Sequence, residues 1–323
     1  MRTSQHSLPS RRGFCLCCLG AATFAATGTW PTPRQAFAQA RNVVDAMRAD
    51  AAGAAITVQK LGGNVSALVG SGGNIAVVTG PDGHILIDAG ITASRPRIEE
   101  ALNGLGRVRI SHLINTHWHF DHADGNEWLR GQGAAIIAHE NARKRLSEAT
   151  RVADWDFNFP AAPAAALPDQ VFSTERSLTL NGSAVELRHF GPAHTDGDAV
   201  VLVGDANILH AGDIYWNGVY PFIDYSTGGS IDGTIRAVEA ILRVTTDGTV
   251  IVPGHGEPAS NKAELRRYRD MLVAVREEVA TLKRQGRTAD DVVAARPTAE
   301  FDEQWSRFVV SPATFTRLVY AGV

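Results

Sequence analysis

His117-Trp118-His119-Phe120-Asp121-His122 decides how this chain is read. Three imidazoles and a carboxylate fall within six residues, directly after the apolar run Leu113-Ile114-Asn115. On an extended strand end, His117 and His119 point to one face, because side chains alternate with period two. Asp121 and His122 then follow on a turn that brings them back beside that face. One short segment can therefore present two clusters of metal-binding atoms. Imidazole and carboxylate suit zinc, and a surplus of ligands points to two metals rather than one. Trp118 alternates away from this face and is expected to pack in the core.

Four more polar residues stand in similar settings. Asp88 closes Ile85-Leu86-Ile87-Asp88-Ala89-Gly90, and His194 sits in Gly191-Pro192-Ala193-His194-Thr195-Asp196-Gly197-Asp198. Asp213 ends Ile208-Leu209-His210-Ala211-Gly212-Asp213, and His255 lies in Val252-Pro253-Gly254-His255-Gly256. Each follows an apolar strand and is flanked by Gly or Pro. Loops at strand ends can converge side chains from distant segments on one point.

With these motifs in this order, the chain resembles the metallo-β-lactamase superfamily from about Ile56 to Glu257. The resemblance implies an α/β fold, an αββα sandwich of two mixed sheets flanked by helices, with two Zn2+ at one edge (Fe or Mn as alternatives). It implies that His117, His119 and His194 hold one metal and that Asp121, His122 and His255 hold the other. Asp213 bridges both, and Asp88 orients ligands from outside. The activity implied is hydrolysis of a small ester, lactone, thioester or lactam by a hydroxide shared between the metals, with Asp121 accepting its proton. One large group of true β-lactamases places Cys where this chain has Asp213. That favours the thioesterase, lactonase and general hydrolase branches over a β-lactamase proper. An iron-dependent dioxygenase of the same fold and a non-catalytic periplasmic metal-binding protein are the other readings. The full set of seven ligands speaks against the last.

The N-terminus reads as an address. Ser10-Arg11-Arg12-Gly13-Phe14-Cys15-Leu16 resembles a twin-arginine export signal, followed by an apolar small-residue run and the small-x-small pattern Ala36-Phe37-Ala38. Cleavage after Ala38 leaves residues 39–323 as one domain with a C-terminal helical extension, periplasmic or secreted and without a membrane anchor. All three cysteines (Cys15, Cys17, Cys18) are in the leader, so the mature chain uses neither disulfides nor thiolate ligands. The chain has net charge -3, and the leader removes arginines but no acid. An acidic chain without a basic tract argues against nucleic acid and for a small-molecule partner.

The remaining pattern places the site. Short strands separated by Gly pairs precede Asp88, and strand–helix alternation follows it. The second half repeats this order, with helices over Ile231–Val244 and Asn261–Arg284. The latter repeats apolar residues at Leu265, Tyr268, Met271, Leu272, Val275, Val279 and Leu282. Residues 151–170 form a long connection, either a functional loop or a passive one. Phe157 and Phe159 there, and Trp216, Asn217 and Tyr220 after Asp213, are the candidate substrate walls. His112 and His210 are expected as structural strand residues, His139 and His189 as structural or ligand-supporting, and His84 at the surface.

Overall fold

The computed structural model describes residues 33–323. The Ser10–Leu16 motif and the three cysteines lie outside the described residues. The expected cleavage point after Ala38 falls in α1 (Pro33–Gly53), whose side chains are described from Val43 on.

Four antiparallel strands follow: β1 (Thr57–Gly62), β2 (Val65–Val69), β3 (Ile75–Val78) and β4 (His84–Ile87). Helix α2 (Arg95–Leu105) leads to β5 (Ile110–Ile114), and α3 (Phe120–Ala123) and α4 (Asn126–Gly131) lead to β6 (Ala135–His139). After α5 (Glu140–Ser147), β7 (Thr150–Val152) and β8 (Phe157–Phe159) form a separate hairpin before β9 (Gln170–Phe172). The first sheet has the order β1-β2-β3-β4-β5-β6-β9, parallel from β4 onward. The second sheet contains β10 (Glu175–Leu180), β11 (Ser183–Arg188), β12 (Val200–Val203) and β13 (Ile208–Asn217), all antiparallel. Helix α6 (Ile231–Val244) then crosses to β14 (Val250–Gly256), which runs parallel to β13. Helices α7 (Lys262–Arg284), α8 (Ala289–Ala295), α9 (Asp302–Trp305) and α10 (Pro312–Gly322) complete the chain.

Strand alternation creates the layers. On β3 and β4, Ala76, Val78, Ile85 and Ile87 pack between the sheets against Val185, Leu187, Val201 and Val203. Their neighbours Ile75, Val77 and Leu86 face outward onto Ile98 and Leu102 of α2 and Leu129 of α4. The second sheet turns Val200, Leu209 and Ile251 toward Val238 and Ile241 of α6 and Leu272 of α7. The result is the αββα sandwich. The stripe on α7 is buried from Leu265 to Val279 and half-buried at Leu282. Each such side chain contributes roughly 1.5–3 kcal/mol by leaving water. Asn261 caps this helix, its Oδ1 accepting from the backbone N–H groups of Ala263 and Glu264.

Three expectations need correction. The strands do not end before Asp213 and His255: β13 continues to Asn217 and β14 to Gly256. The parallel pairing resumes at Trp216–His255 after register shifts on either side of Gly212, so Asp213 and His255 lie within strands rather than in loops after them. His84 is buried rather than at the surface. It opens β4 on the face covered by α2, and its Nε2 is 2.8 Å from the Gly106 carbonyl. Finally, the 151–170 connection is not structureless: it holds the β7–β8 hairpin and a 3-10 turn at Ala164–Ala166.

Candidate metal centre

The HWHFDH segment leaves the sheet earlier than an extended strand end would. β5 stops at Ile114, the chain bends at Thr116-His117, and His119 becomes the extended N-cap of α3. One helical turn then folds Asp121 and His122 back beside His117. All seven candidate ligands are buried. Their donor atoms form three overlapping groups: His117/His119/His194, His117/His122/Asp213, and Asp121/His122/His255, each within 4.8 Å. Asp213 stands between the two ends. Its Oδ2 lies 3.5 Å from His194 Nε2 and 3.4 Å from His255 Nε2, and its Oδ1 lies 3.1 Å from His122 Nε2.

The outward sides of the rings fix the tautomers. His119 Nε2 donates to Asp224 at 3.0 Å and His194 Nδ1 to the Phe222 carbonyl at 2.8 Å. His122 Nδ1 donates to Asp88 at 2.8 Å. Thr116 spends its hydroxyl proton on Asp88 Oδ2 at 2.7 Å, so its oxygen accepts from His117 Nδ1 at 3.1 Å. While neutral, His117, His119 and His194 thus turn lone pairs inward, and His122 turns its Nε2 inward toward Asp213. His194 Nε2 and His119 Nδ1 approach to 2.9 Å, two lone pairs with no proton between them while both rings are neutral. His117 Nε2 is buried without a hydrogen-bond partner among the described residues. A buried, converging set of bare donors is costly by itself and is what a cation satisfies. The donor set therefore fits divalent metal, and the outer Asp and carbonyl partners are of the kind that metal-binding histidines use.

Electrostatics divides the set. Burial holds His117 well below the ordinary imidazole pKa and lowers His194 as well, which keeps both neutral. Burial also opposes charge on His122 and His255, but Asp213 and Asp121 outweigh it. His122 is raised well above its usual value and His255 to about 9. Burial likewise disfavours ionised Asp213 and Asp121. His122 and His255 outweigh it for both, holding both carboxyls low.

Backbone placement sets these distances. Asp88 has φ 67, a left-handed conformation that Asp tolerates better than most residues. It receives the Thr116 N–H on Oδ1 at 2.7 Å while Oδ2 serves His122. At Gly254 a Cβ would overlap Asp213 Oδ1, so β14 can bring His255 beside Asp213 only with glycine there.

The candidate wall residues fall in different places. Trp216 lies against His255, with ring centroids 4.3 Å apart. Asn217 faces its own strand and the neighbouring loop, accepting from Tyr215 Oη and donating to the Glu257 carbonyl. Tyr220 is fully buried, and its hydroxyl lies 3.0 Å from Asp302 Oδ1, to which it donates, and 3.2 Å from Thr298 O. It braces the C-terminal segment instead of facing the ligands. Phe159 packs behind the site on Trp118 and Phe120, and Phe157 packs on Phe159. His139 and His189 stack on each other at 4.0 Å and bond to Ser173 O and Asp198 O, away from the donor cluster. His210 bonds to Asn74 O.

Asp224, Trp155 and Phe308 were not singled out from sequence. Asp224 carries a signal only in hindsight: it is the acid that ends the aromatic run Tyr220-Pro221-Phe222-Ile223. Trp155 and Phe308 have no local signal, because tertiary packing alone brings them to the site.

The chain belongs to the Metallo-beta-lactamase superfamily, matching it over residues 68–275. It is 26% identical over 281 residues to an atrochrysone carboxyl ACP thioesterase of Aspergillus fumigatus, covering 82% of this chain and 78% of that protein. It is 23% identical over 164 residues to a probable metallo-hydrolase of Bacillus subtilis, covering 50% and 74%. Among solved structures, the metallo-beta-lactamase from Pontibacter korlensis superposes with TM-score 0.56 at 19% identity, covering 68% of this chain and 99% of that one. A stereoselective inverting sec-alkylsulfatase from Pseudomonas sp. superposes with TM-score 0.59 at 17% identity, covering 83% of this chain and 50% of that one. At these identities the structural likenesses bear on the fold alone.

Proposed function

We propose that this chain is an exported, metal-dependent hydrolase of a small ester, lactone, thioester or lactam, working with two zinc ions. The observation that carries this reading is the convergence of five imidazoles and two carboxylates, all buried, whose donor atoms form three overlapping groups each within 4.8 Å. His117, His119 and His194 would hold one ion, Asp121, His122 and His255 the other, and Asp213 both. Divalent ions at such a site supply Lewis acidity toward a carbonyl oxygen and lower the pKa of water to near neutrality. Asp88, Asp224 and the Phe222 carbonyl orient the rings. Asp121 Oδ2, 3.2 Å from His255 Nε2, is the ionised oxygen placed to take up a proton. The likeness to a thioesterase and a probable metallo-hydrolase supports acyl transfer to water. Export by the twin-arginine route, supported by Arg11-Arg12 and the run after them, would deliver a protein already folded around its metal.

The test is metal analysis of the purified protein, then turnover of an ester, a thioester, a lactone, nitrocefin and a phosphodiester. Bound zinc, with acyl substrates cleaved, inactivated by chelator and restored by metal, is the expected result. A protein that binds no transition metal, or that binds iron and consumes oxygen, overturns it.

A further inference from the structure

Two pairs of aromatic rings flank the donor cluster at opposite ends. At the His119/His194 end, Trp155 from the β7–β8 connection lies 4.9 Å from His119 and stacks on Phe222 at 4.8 Å. Phe222 in turn lies 6.0 Å from His194. At the His255 end, Trp216 lies 4.3 Å and Phe308 5.6 Å from the imidazole, and the two rings are 5.9 Å apart. Trp216 and Phe222 are buried, while Trp155 and Phe308 are only partly so and form the outer member of each pair.

Phe308 reaches the site on a segment that the chain holds firmly. The Tyr220 N–H donates to Trp305 O at 2.8 Å. The Tyr220 hydroxyl bonds to Thr298 O and Asp302 Oδ1, and its ring stacks on Phe315 at 4.8 Å. The 298–315 region is thereby tied to the segment that follows the strand carrying Asp213, and Phe308 from that region packs against Trp216 and His255. Around the other wall the arginines are occupied: Arg48 faces Asp124, Arg145 faces Asp196 and Arg151 faces Asp156. This wall offers apolar ring surface and no uncommitted guanidinium from these three.

We propose that the two aromatic pairs are separate subsites for the two halves of the substrate. The substrate class is then an uncharged carboxylic ester or thioester with an apolar, ring-sized group on each side of the scissile bond. Phe308 and Trp155 are the residues that set this preference. The inference rests on the hydrolase reading above. The reaction needs only water: the acyl C–O or C–S bond breaks, hydroxyl joins the acyl carbon, and the leaving oxygen or sulfur takes the proton. Apolar rings recognise such groups by removing them from water, and burial of one ring contributes enough to raise kcat/KM about tenfold or more.

The test uses the metal-loaded protein and four esters of similar intrinsic reactivity followed by pH-stat: ethyl acetate, benzyl acetate, ethyl phenylacetate and benzyl phenylacetate. Nitrocefin and 4-nitrophenyl phosphate serve as anionic comparators. We expect kcat/KM to rise about tenfold with each ring and to be highest for benzyl phenylacetate. Phe308→Ala should erase the gain from a ring on one side, mostly through KM, and Trp155→Ala the gain on the other, with metal content retained. Phe308→Tyr should restore the first. Equal rates across the four esters, both variants acting on the same side, or faster turnover of either anion overturns the proposal. The substrate comparison on the unaltered protein decides this even where a variant does not fold. Ester cleavage without ring preference defeats this inference alone, whereas bound metal with no cleavage of any compound defeats the hydrolase reading beneath it.

Discussion

The space between the two sheets is filled in two contrasting ways. One end is aliphatic: Val78, Ile85, Val201, Val203 and Ile208 pack together there. The other end holds seven buried polar side chains around a common point. The same strands build both. Ile87 precedes Asp88, Ile114 precedes the bend at Thr116-His117, Ile208 begins the strand that carries Asp213, and Val252 lies within the one that carries His255. The aliphatic end is stable as folded. The polar end holds bare lone pairs and interlocked charges that only a bound cation or trapped protons can satisfy. The strands therefore fix the positions of the ligands whether or not the ligands themselves favour folding.

That division can be broken first by removing ligands. His117→Ala or Asp213→Ala should abolish bound metal and reduce hydrolysis to background, while far-UV circular dichroism stays that of the parent. A variant that keeps both metal and turnover contradicts the assignment. Gly254→Ala should come next. Its methyl would displace Asp213, so metal stoichiometry and activity should both fall sharply although no ligand has been changed. Asp224→Ala frees His119 from its outer partner, and a loss of about 10–100-fold in metal affinity or activity is expected, read by competition with a chromophoric chelator. At the other end of the sandwich, Ile85→Val should cost about 0.5–1.5 kcal/mol in urea unfolding and leave metal per folded molecule and kcat unchanged. If it altered metal binding, the two ends would not be separable.

Sequence reading was strongest where chemistry is local. The HWHFDH segment, and the Gly- and Pro-flanked settings of Asp88, His194, Asp213 and His255, needed only residue type and neighbours to be noticed. The apolar stripe from Leu265 to Leu282 needed only its period. It failed where a role depends on packing from elsewhere in the chain. Tyr220 looks like a wall residue because it sits in an aromatic run near Asp213, but residues 298–302 claim its hydroxyl and bury it. His84 follows a Pro-Asp-Gly turn that suggests solvent, yet α2 covers it. Trp155 and Phe308 lie 36 and 53 residues from the nearest ligands that they touch, and no local pattern marks either. The setting of Asp213 suggests a loop after a strand, whereas Gly212 is the point where the pairing with β14 slips before it resumes at Trp216–His255.

Asp88 is tied to both halves of the centre, to His122 directly and to His117 through Thr116. Asp224, by contrast, serves one ring. A change at Asp224 therefore reaches the surroundings of His119 with His117 and His122 left alone, but no such freedom exists at position 88. A change there is felt twice, which makes it a single point of failure in an otherwise divisible machine.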